Sequence, residues 1–379
     1  MGKFKTNIFE SCKDGDSTEL WLRARHYVLD ILAPLDGDGI KMDSKDHVHV
    51  VLENTSDLML AIARQIALIA HYANYDEENG KNRTVIAFCN CKDITSFTDK
   101  KVITKKLESQ YFGNLLQFCQ CTYHDASKEN AIITIQKEKG ILPLDIEFVF
   151  TTEDIDTYRK RTKPGEKSID ILEKDIPNDF SDYVDESKGK LVNMVYSVGA
   201  EIGNLPSSDN ANISRYNIAL NTFCYKLMVE NIEEKWSKCN DTDRLSSIFC
   251  ADCFESRLRS ILDINEKSLL EYLLTDYDRI TQEMCKEENI TALAKTEHAR
   301  WNVEKLIMGF RPLNAEERYE DETHLDKEEK KAYRKKLKEK QIHIDLCAYK
   351  DLRRVDMQNM KYDYFLMLAM PHILLASTK

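Results

Sequence analysis

The chain has 379 residues, a net charge of −11 and a hydrophobic fraction of 42%, and 31% of its residues are charged. This length predicts about two to three domains, with enough apolar residues for hydrophobic cores. An acidic chain is a poor candidate for binding duplex nucleic acid, because a basic face carries most of that affinity. One basic stretch, 330–340, follows the acidic run 316–329; the two segments either neutralise each other in solvent or offer a phosphate-binding surface.

The N-terminal residues and the cysteines indicate the cellular compartment. Residues 1–6 lead into polar sequence with no secretory signal, and no run approaches the roughly 20 apolar residues that span a membrane. The 11 cysteines then predict a reducing cytoplasm with free thiols. Three close pairs are either core thiols or metal ligands: Cys89 with Cys91, Cys119 with Cys121, and Cys250 with Cys253. Because none has zinc-ribbon spacing, we predict no metal site, and we assign no cofactor.

Short apolar runs alternate with helical patterns in the first half of the chain. After an amphipathic helix near 17–32, the pattern predicts strands at 47–52, 84–89, 115–121, 131–135 and 146–150, and helices at 58–70 and 101–111. Strand–helix–strand units at this spacing indicate a largely parallel sheet with right-handed crossovers. The fold class is therefore α/β, with a Rossmann-like domain over 1–160 that continues with added helices over 161–285.

The turn after the first predicted strand lacks the glycines of a dinucleotide-binding site. Such sites carry Gly-x-Gly-x-x-Gly here, where backbone N–H groups approach a pyrophosphate. This chain has Glu53 and Asp57 instead, whose carboxylates would repel a pyrophosphate. We therefore predict that this turn does not bind NAD, and that Asn54, Thr55 and Ser56 either cap the next helix or hold a hydroxyl-rich ligand.

A second candidate site follows the polar linker at 162–190. Residues 191–199 are predicted to form a buried strand, which leads through a glycine-containing loop into a helix. The end of a strand beside a helix N-terminus is a favoured ligand position in α/β sheets. The candidate ligand contacts in this loop are Gly199, Gly203, Asn212 and Arg215. The alternative is an ordinary turn with a helix cap, since Gly, Asn and Pro dominate turns.

The chain beyond residue 211 is predicted to be mainly helical. Candidate helices lie at 224–236, 243–262, 269–285, 293–311 and 364–375, and Pro371 and His372 are expected to interrupt the last one. At about 100° per residue, the side of helix 293–311 that lies opposite its apolar sector carries His298, Trp301, Asn302 and Lys305. Either a second element covers this face, or it is a surface for a ligand or a partner.

Residues 293–311 also resemble the first helix of the RyR domain, a small module repeated in ryanodine receptors and found in bacterial proteins. That helix has the form Leu-x-x-x-Glu-His-x-Arg-Trp-x-x-Glu-Lys, followed by Gly-aromatic-Arg. The matching residues are Leu293, Glu297, His298, Arg300, Trp301, Glu304, Lys305, Gly309, Phe310 and Arg311. A weaker second motif supplies His343, Leu346, Tyr349 and Leu352. Asp363-Tyr364 stands where the family has Asp-Arg, so the arginine is missing from that corner.

The resemblance implies a small, mainly α-helical domain over 286–379 that binds a nucleotide-type ligand. On this basis the ligand-binding residues are Glu297, His298, Arg300, Trp301, Glu304, Lys305, Arg311, His343 and Tyr349. A base stacked on Trp301, with Lys305 and Arg311 near its phosphate, is chemistry that these side chains suit.

Two classes of function follow. The first is a cytoplasmic, homo-oligomeric ligand sensor; bacterial proteins that join RyR domains to potassium-channel-regulator-like Rossmann domains suggest second-messenger signalling or antiviral defence. The second is an enzyme that acts on a nucleotide or nucleoside at the 199–216 loop. Ser-His-Asp, His-Glu-x-x-His and P-loop motifs are absent from the sequence, so we favour the sensor and assign no catalytic residue.

Overall fold

The structure is a computed structural model that describes most of the chain in segments. These are residues 16–36, 39–91, 111–126, 132–134, 142–162, 167–179, 184–202, 213–262, 269–323, 326–355 and 357–377. Within them, six strands form one sheet in the order β4-β3-β5-β2-β1-β6. The strands are β1 (His49–Leu52), β2 (Thr84–Phe88), β3 (Gln120–His124), β4 (Ile132–Thr134), β5 (Ile146–Thr151) and β6 (Ser168–Ile171).

Neighbouring strands run parallel except β3 and β4, which pair antiparallel at one edge. The interior strand β1, between β2 and β6, is buried along its whole length, with Val50 and Leu52 in one core and Val51 in another. Continuous burial of this kind is typical of a parallel strand covered on both faces. The α/β class with a Rossmann-like, largely parallel sheet is therefore confirmed.

Helices account for most of the remaining described residues. In chain order they are α1 (Asp16–Asp36), α2 (Asp57–Ile69), α3 (Leu115–Phe118), α4 (Ile155–Thr162), α5 (Ser187–Ile202), α6 (Ile213–Val229), α7 (Ile232–Lys238), α8 (Asp241–Asp252), α9 (Phe254–Ile261), α10 (Leu269–Thr275), α11 (Tyr277–Met284), α12 (Glu287–Ile307), α13 (Ala315–Thr323), α14 (Lys327–Glu339), α15 (Tyr349–Val355) and α16 (Met357–Ala376). None of these described helices is long and apolar enough to cross a membrane.

Two large hydrophobic cores hold the molecule together, and α12 contributes to both. Val303 and Leu306, near its C-terminal end, join the core between the sheet, α1 and α2. Leu293 and Ala294, nearer its start, join the all-helical core that α5 and α16 also line. The domain boundary at 286 stays a prediction, but the packing itself runs across it, because residues on both sides of 286 share each core.

Several predicted elements differ from the structure. The helices predicted at 224–236, 243–262 and 269–285 are each divided between two helices. Residues 191–199 are not a strand but part of α5, because their apolar side chains recur at helical spacing: Leu191, Val192, Met194, Val195 and Val198 are all buried. The strand predicted at 115–121 begins instead as the short helix α3, and β3 follows it. The last helix, α16, continues through Pro371 rather than being interrupted there.

One strand was not predicted, and one predicted helix lies outside the described residues. β6 falls within the segment that the sequence presented as a polar linker, and its Ile171 is the only fully buried position among its four residues. With so little apolar signal, only its pairing with β1 defines it as a strand. The helix predicted at 101–111 falls almost entirely on residues that the structure does not describe.

The cysteine pairs lie in the protein interior. Both members of each pair, 89/91, 119/121 and 250/253, are buried, and the Cys119 and Cys121 Sγ atoms are 3.4 Å apart. Burial raises the pKa of Cys253 to about 12, which keeps that thiol neutral. In the part of the chain that the structure describes, no group of three or more His, Cys, Asp or Glu side chains is arranged to hold a metal ion.

Candidate ligand cleft

A cleft of about 560 Å³ opens between the α/β unit and the C-terminal helices. One wall is the turn that follows α2, including Tyr72, Tyr75 and Glu77, together with Asp145 just before β5. The other wall is formed by α12 and by residues 347–353. The turn precedes β2 and Asp145 precedes β5, so the cleft lies at the amino ends of the parallel strands. This is the edge opposite to the one where α/β sheets usually bind ligands.

The polar wall of the cleft is organised around one backbone carbonyl. The Cys347 oxygen accepts hydrogen bonds from His298 Nε2 at 2.9 Å and from Asn302 Nδ2 at 3.0 Å. His298 and Asn302 are each 4% exposed, and both line the cleft. Among the described residues, Asn302 Oδ1 has no hydrogen-bond partner. A buried acceptor without a partner is costly, and a ligand amino group would satisfy it.

His298 is neutral in this environment. A carbonyl only accepts, so Nε2 carries the proton, and burial lowers the pKa of His298 to about 4. Asp363 lies 3.9 Å from His298 Nδ1, and burial together with the charge of Glu297 holds its pKa well above the usual range. Because His298 is uncharged near neutral pH, this contact is not an ion pair.

Positive charge reaches the cleft from α12 and α15. Lys295 and Lys350 are exposed, line the cleft, and form no ion pair with any residue that the structure describes. Arg353 adds a third cation to the same wall. Carboxylates line the opposite wall, among them Asp76, Glu77 and Glu78. The pKa of Glu77 is raised by burial and lowered in part by Lys350 and Lys295. Two unpaired ammonium groups beside a buried acceptor form a site for an anion that also carries a donor.

Most of the charged residues in the RyR-like motif are used inside the protein. Glu297 and Arg300 are fully buried, and Glu304 is 1% exposed. Arg300 Nη2 lies 2.9 Å from Glu297 and Arg300 Nη1 lies 2.6 Å from Glu304, while Arg257 of α9 contacts Glu297 at 2.8 Å. Burial opposes ionisation, yet Arg300 and Arg257 lower the pKa of Glu297 to about 2. The set is a closed buried charge network that joins α12 to α9.

Trp301 stands behind the cleft, in an aromatic cluster with His298, His343 and Phe310. Its ring lies nearly parallel to that of His298, at 6.1 Å, and the edge of His343 approaches it at 4.9 Å. Lys305 Nζ lies 5.5 Å from the centre of the Trp301 ring and also contacts Glu304 at 2.9 Å. Trp301 is half-buried and packs against the sheet core, so part of its expected stacking surface is already occupied.

Tyr349 and Arg311 differ in their access to a ligand. Tyr349 is buried at the start of α15, lines the cleft, and meets the His298 ring at 5.7 Å. Arg311 does not line the cleft; its guanidinium binds Glu317 through two contacts, at 2.8 Å and 2.7 Å. The predicted phosphate role of Arg311 would therefore require it to leave Glu317.

The loop at 199–216 does not have the predicted strand-to-helix geometry. Gly199 lies inside α5, where an added Cβ would come within 2.3 Å of the Tyr362 ring. This glycine permits close packing of α5 against α16. Gly203 and Asn212 lie outside the described residues, and for Arg215 the structure describes only its place in α6.

The polar groups at the carboxyl ends of β1 and β6 bind one another. Ser56 Oγ accepts the Met59 N–H and so caps α2, as one of the two interpretations predicted. Asn54 Nδ2 donates to Glu173 at 3.0 Å, and a Glu53 carboxylate oxygen accepts the Glu173 N–H at 2.9 Å.

A second cavity, of about 370 Å³, lies beside α1. Its charges are paired as well, since Arg25 binds Asp252 through two contacts at 3.0 Å and 2.7 Å.

Two residues of the cleft, Lys295 and Lys350, were missed in the sequence, whereas Asn302 was placed on the polar face of the helix but not among the predicted ligand contacts. Lys295 lies between motif positions, and Lys350 directly follows Tyr349, so neither stands out by type. Spacing offered one signal, because Lys295, His298 and Asn302 recur at three and four residues along one helix face.

Comparison of the chain with family models, with curated proteins and with solved structures gives no match.

Proposed function

We propose that this protein is a ligand-gated regulator that binds a nucleotide-type small molecule in the cleft between the sheet and the C-terminal helices. The observation that carries the proposal is the unpaired charge of Lys295 and Lys350 beside the unpartnered Asn302 acceptor. The lysines suit a phosphate, and Asn302 suits an exocyclic amino group. Tyr72, Tyr75 and Tyr349 supply the aromatic part of the wall.

The position of the cleft explains how binding would affect the rest of the molecule. Its two walls come from distant parts of the chain, so a ligand that contacts both favours the arrangement in which they are close. The C-terminal end of α12 is already fixed to the start of α3: Asn114 N donates to Leu306 O at 2.8 Å, and Asn114 Nδ2 donates to Gly309 O at 2.7 Å. Ligand contacts at Lys295 would fix the same helix nearer its start.

The resemblance to RyR domains supports the same class of function by analogy. On that analogy, and given its free thiols, we propose a cytoplasmic, homo-oligomeric regulator in second-messenger signalling or antiviral defence. The alternative, an enzyme at the 199–216 loop, has lost its geometric basis in the described residues, because Gly199 lies within a helix and packs on Tyr362.

The proposal is tested by native mass spectrometry of protein purified under mild conditions, followed by calorimetric titration with ATP, AMP and cyclic dinucleotides. We expect one nucleotide-type molecule per chain, either retained through purification or bound in the titration. A protein that carries no small molecule and gives no binding heat with any of these compounds would refute a nucleotide sensor.

A further inference from the structure

A row of lysines runs along the outer face of α14. Lys327, Lys331, Lys335 and Lys338 are all exposed. At about 100° per residue they fall within a sector of roughly 80°, and successive members at four-residue spacing rise by about 6 Å along the helix. We refer to these four residues as the lysine row. Their alignment contrasts with the net charge of −11 on the whole chain.

The acidic run before α14 does not neutralise the lysine row. Asp321 of α13 binds Arg334 through two contacts, at 2.7 Å and 2.9 Å, and also lies 3.6 Å from Lys330. Glu320 accepts the Tyr333 hydroxyl at 2.9 Å. These contacts use residues of α14 outside the row. The row itself forms no ion pair with any described residue, although Glu328 and Glu339 flank it on the helix surface.

The helix that carries the row is held firmly against the protein. Leu337, on the opposite side of α14, is 4% exposed and packs with Leu313, Ile342 and Ile344 in a small hydrophobic core. Tyr333 packs against the same core. Because this anchor fixes the orientation of the helix, the row is presented to solvent in one arrangement rather than as a set of independent charges.

The row ends close to the aromatic cluster of Trp301, Phe310 and His343. The backbone joins the end of the row to His343: the Lys338 carbonyl accepts the Gln341 N–H at 3.0 Å, and the Leu337 carbonyl accepts the Ile342 N–H at 3.0 Å. The Phe310 and His343 rings lie 6.0 Å apart. Trp301 and Phe310 are both half-buried, so neither residue is closed off from solvent by the core. The lysine row therefore ends close to the segment that carries the His343 ring of the aromatic cluster.

We propose that the lysine row and this aromatic cluster bind single-stranded nucleic acid, at a surface separate from the ligand cleft. Regularly spaced cations that follow a backbone and aromatic rings that stack on bases are the two components of sequence-tolerant single-strand recognition. An acidic protein segment or an anionic membrane would use the lysines but gains less from stacking. Because the remainder of the chain is acidic, the binding is local and strongly salt-dependent.

The test is fluorescence anisotropy with labelled oligo(dT) and oligo(U) of about 12 nucleotides, between about 50 and 200 mM NaCl. The Lys331→Gln/Lys335→Gln variant removes two charges from the row. The matched control, Lys336→Gln/Lys340→Gln, removes two charges from another face around the end of the same helix. All four lysines are exposed, so both variants keep the fold.

We expect the row variant to lower the slope of log affinity against log salt by about 1.4, since each phosphate contact on a single strand contributes about 0.7. The control should change the slope by much less. Inorganic polyphosphate of equal length should bind more weakly than the oligonucleotides, because it has no bases to stack. Equal losses in the two variants, equal binding of polyphosphate, or binding to phosphatidylglycerol vesicles with no oligonucleotide binding would each overturn the proposal.

Discussion

The two sides of α12 carry similar polar residue types, but the polar groups on one side bind other residues of the protein and those on the other side line the cleft. On one side, Glu297, Arg300 and Glu304 are buried and bind one another or Arg257. On the other, Lys295 is exposed at the cleft without an ion pair among the described residues, and Asn302 holds an acceptor with no partner. Residue type alone therefore does not distinguish structure from binding. What distinguishes them is whether a polar group has already found its counterpart within the protein.

This difference changes how the RyR-like motif should be understood. Five of its polar positions, Glu297, Arg300, Glu304, Lys305 and Arg311, are engaged in ion pairs. These ion pairs hold the helix and the segment after it in place, so the charges of the five residues are not available to a ligand. The comparison predicts that substitutions in the network act on stability, whereas substitutions at the cleft act on binding.

The largest expected effect is on the buried network. Glu297→Ala leaves Arg257 and Arg300 buried without their shared carboxylate, so we expect a loss of about 3–5 kcal/mol in the free energy of unfolding. The matched control is Glu322→Ala, which breaks the exposed pair with Arg354 and should cost about 1 kcal/mol or less. Chemical denaturation of both variants measures the difference. Equal losses would show that the network is no more important to the fold than a surface pair.

A smaller effect concerns acid stability and His298. The folded state keeps His298 neutral down to about pH 4, whereas the unfolded chain protonates it below its ordinary pKa of 6.5. Its contribution is therefore complete above about pH 6.5 and is lost progressively as the pH falls from there toward 4. We expect the unfolding free energy lost in this way to be on the order of 1–2 kcal/mol at pH 5.

His298→Gln isolates this contribution, because the glutamine amide can still donate a hydrogen bond but does not titrate. Unfolding free energies at about pH 7.5 and pH 5 should fall further for the wild type than for this variant. A variant that loses as much stability on acidification as the wild type would show that His298 is not neutral in the folded protein.

The sheet was predictable from sequence because its central strands have a strong local signature. The strands near 47–52, 84–89 and 146–150 are short apolar runs between polar turns. Burial on both faces of the sheet favours such continuous apolar runs, which do not show helical spacing. The same reasoning failed at 191–199, where β-branched residues suggested a strand but the spacing of the buried side chains was helical. β6 lacked a signature, since only its partner strand defines it.

The site was predictable only in part. Helical periodicity correctly separated a polar face on α12, and His298 and Tyr349 do reach the cleft. The other wall comes from the turn at 72–78, more than 200 residues earlier in the chain, and nothing local connects the two. Arg300 pairs with its two glutamates at three- and four-residue spacing within α12, which is local. The added contact of Arg257 with Glu297 depends on which face α9 covers, and that is a property of the tertiary packing.

The most direct test of the central claim compares nucleotide affinity and melting temperature in the wild type, Lys295→Gln/Lys350→Gln and Glu77→Gln, using the nucleotide that binds the wild type. We predict that the lysine variant binds about tenfold to a hundredfold more weakly and that Glu77→Gln binds several-fold more tightly, because the two changes remove opposite charges from one cleft. Both should melt close to the wild type, since Lys295 and Lys350 are exposed and Glu77 is only half-buried. Unchanged affinity in the lysine variant, or weaker binding in both, would contradict a ligand site built on the unpaired charges of α12 and α15.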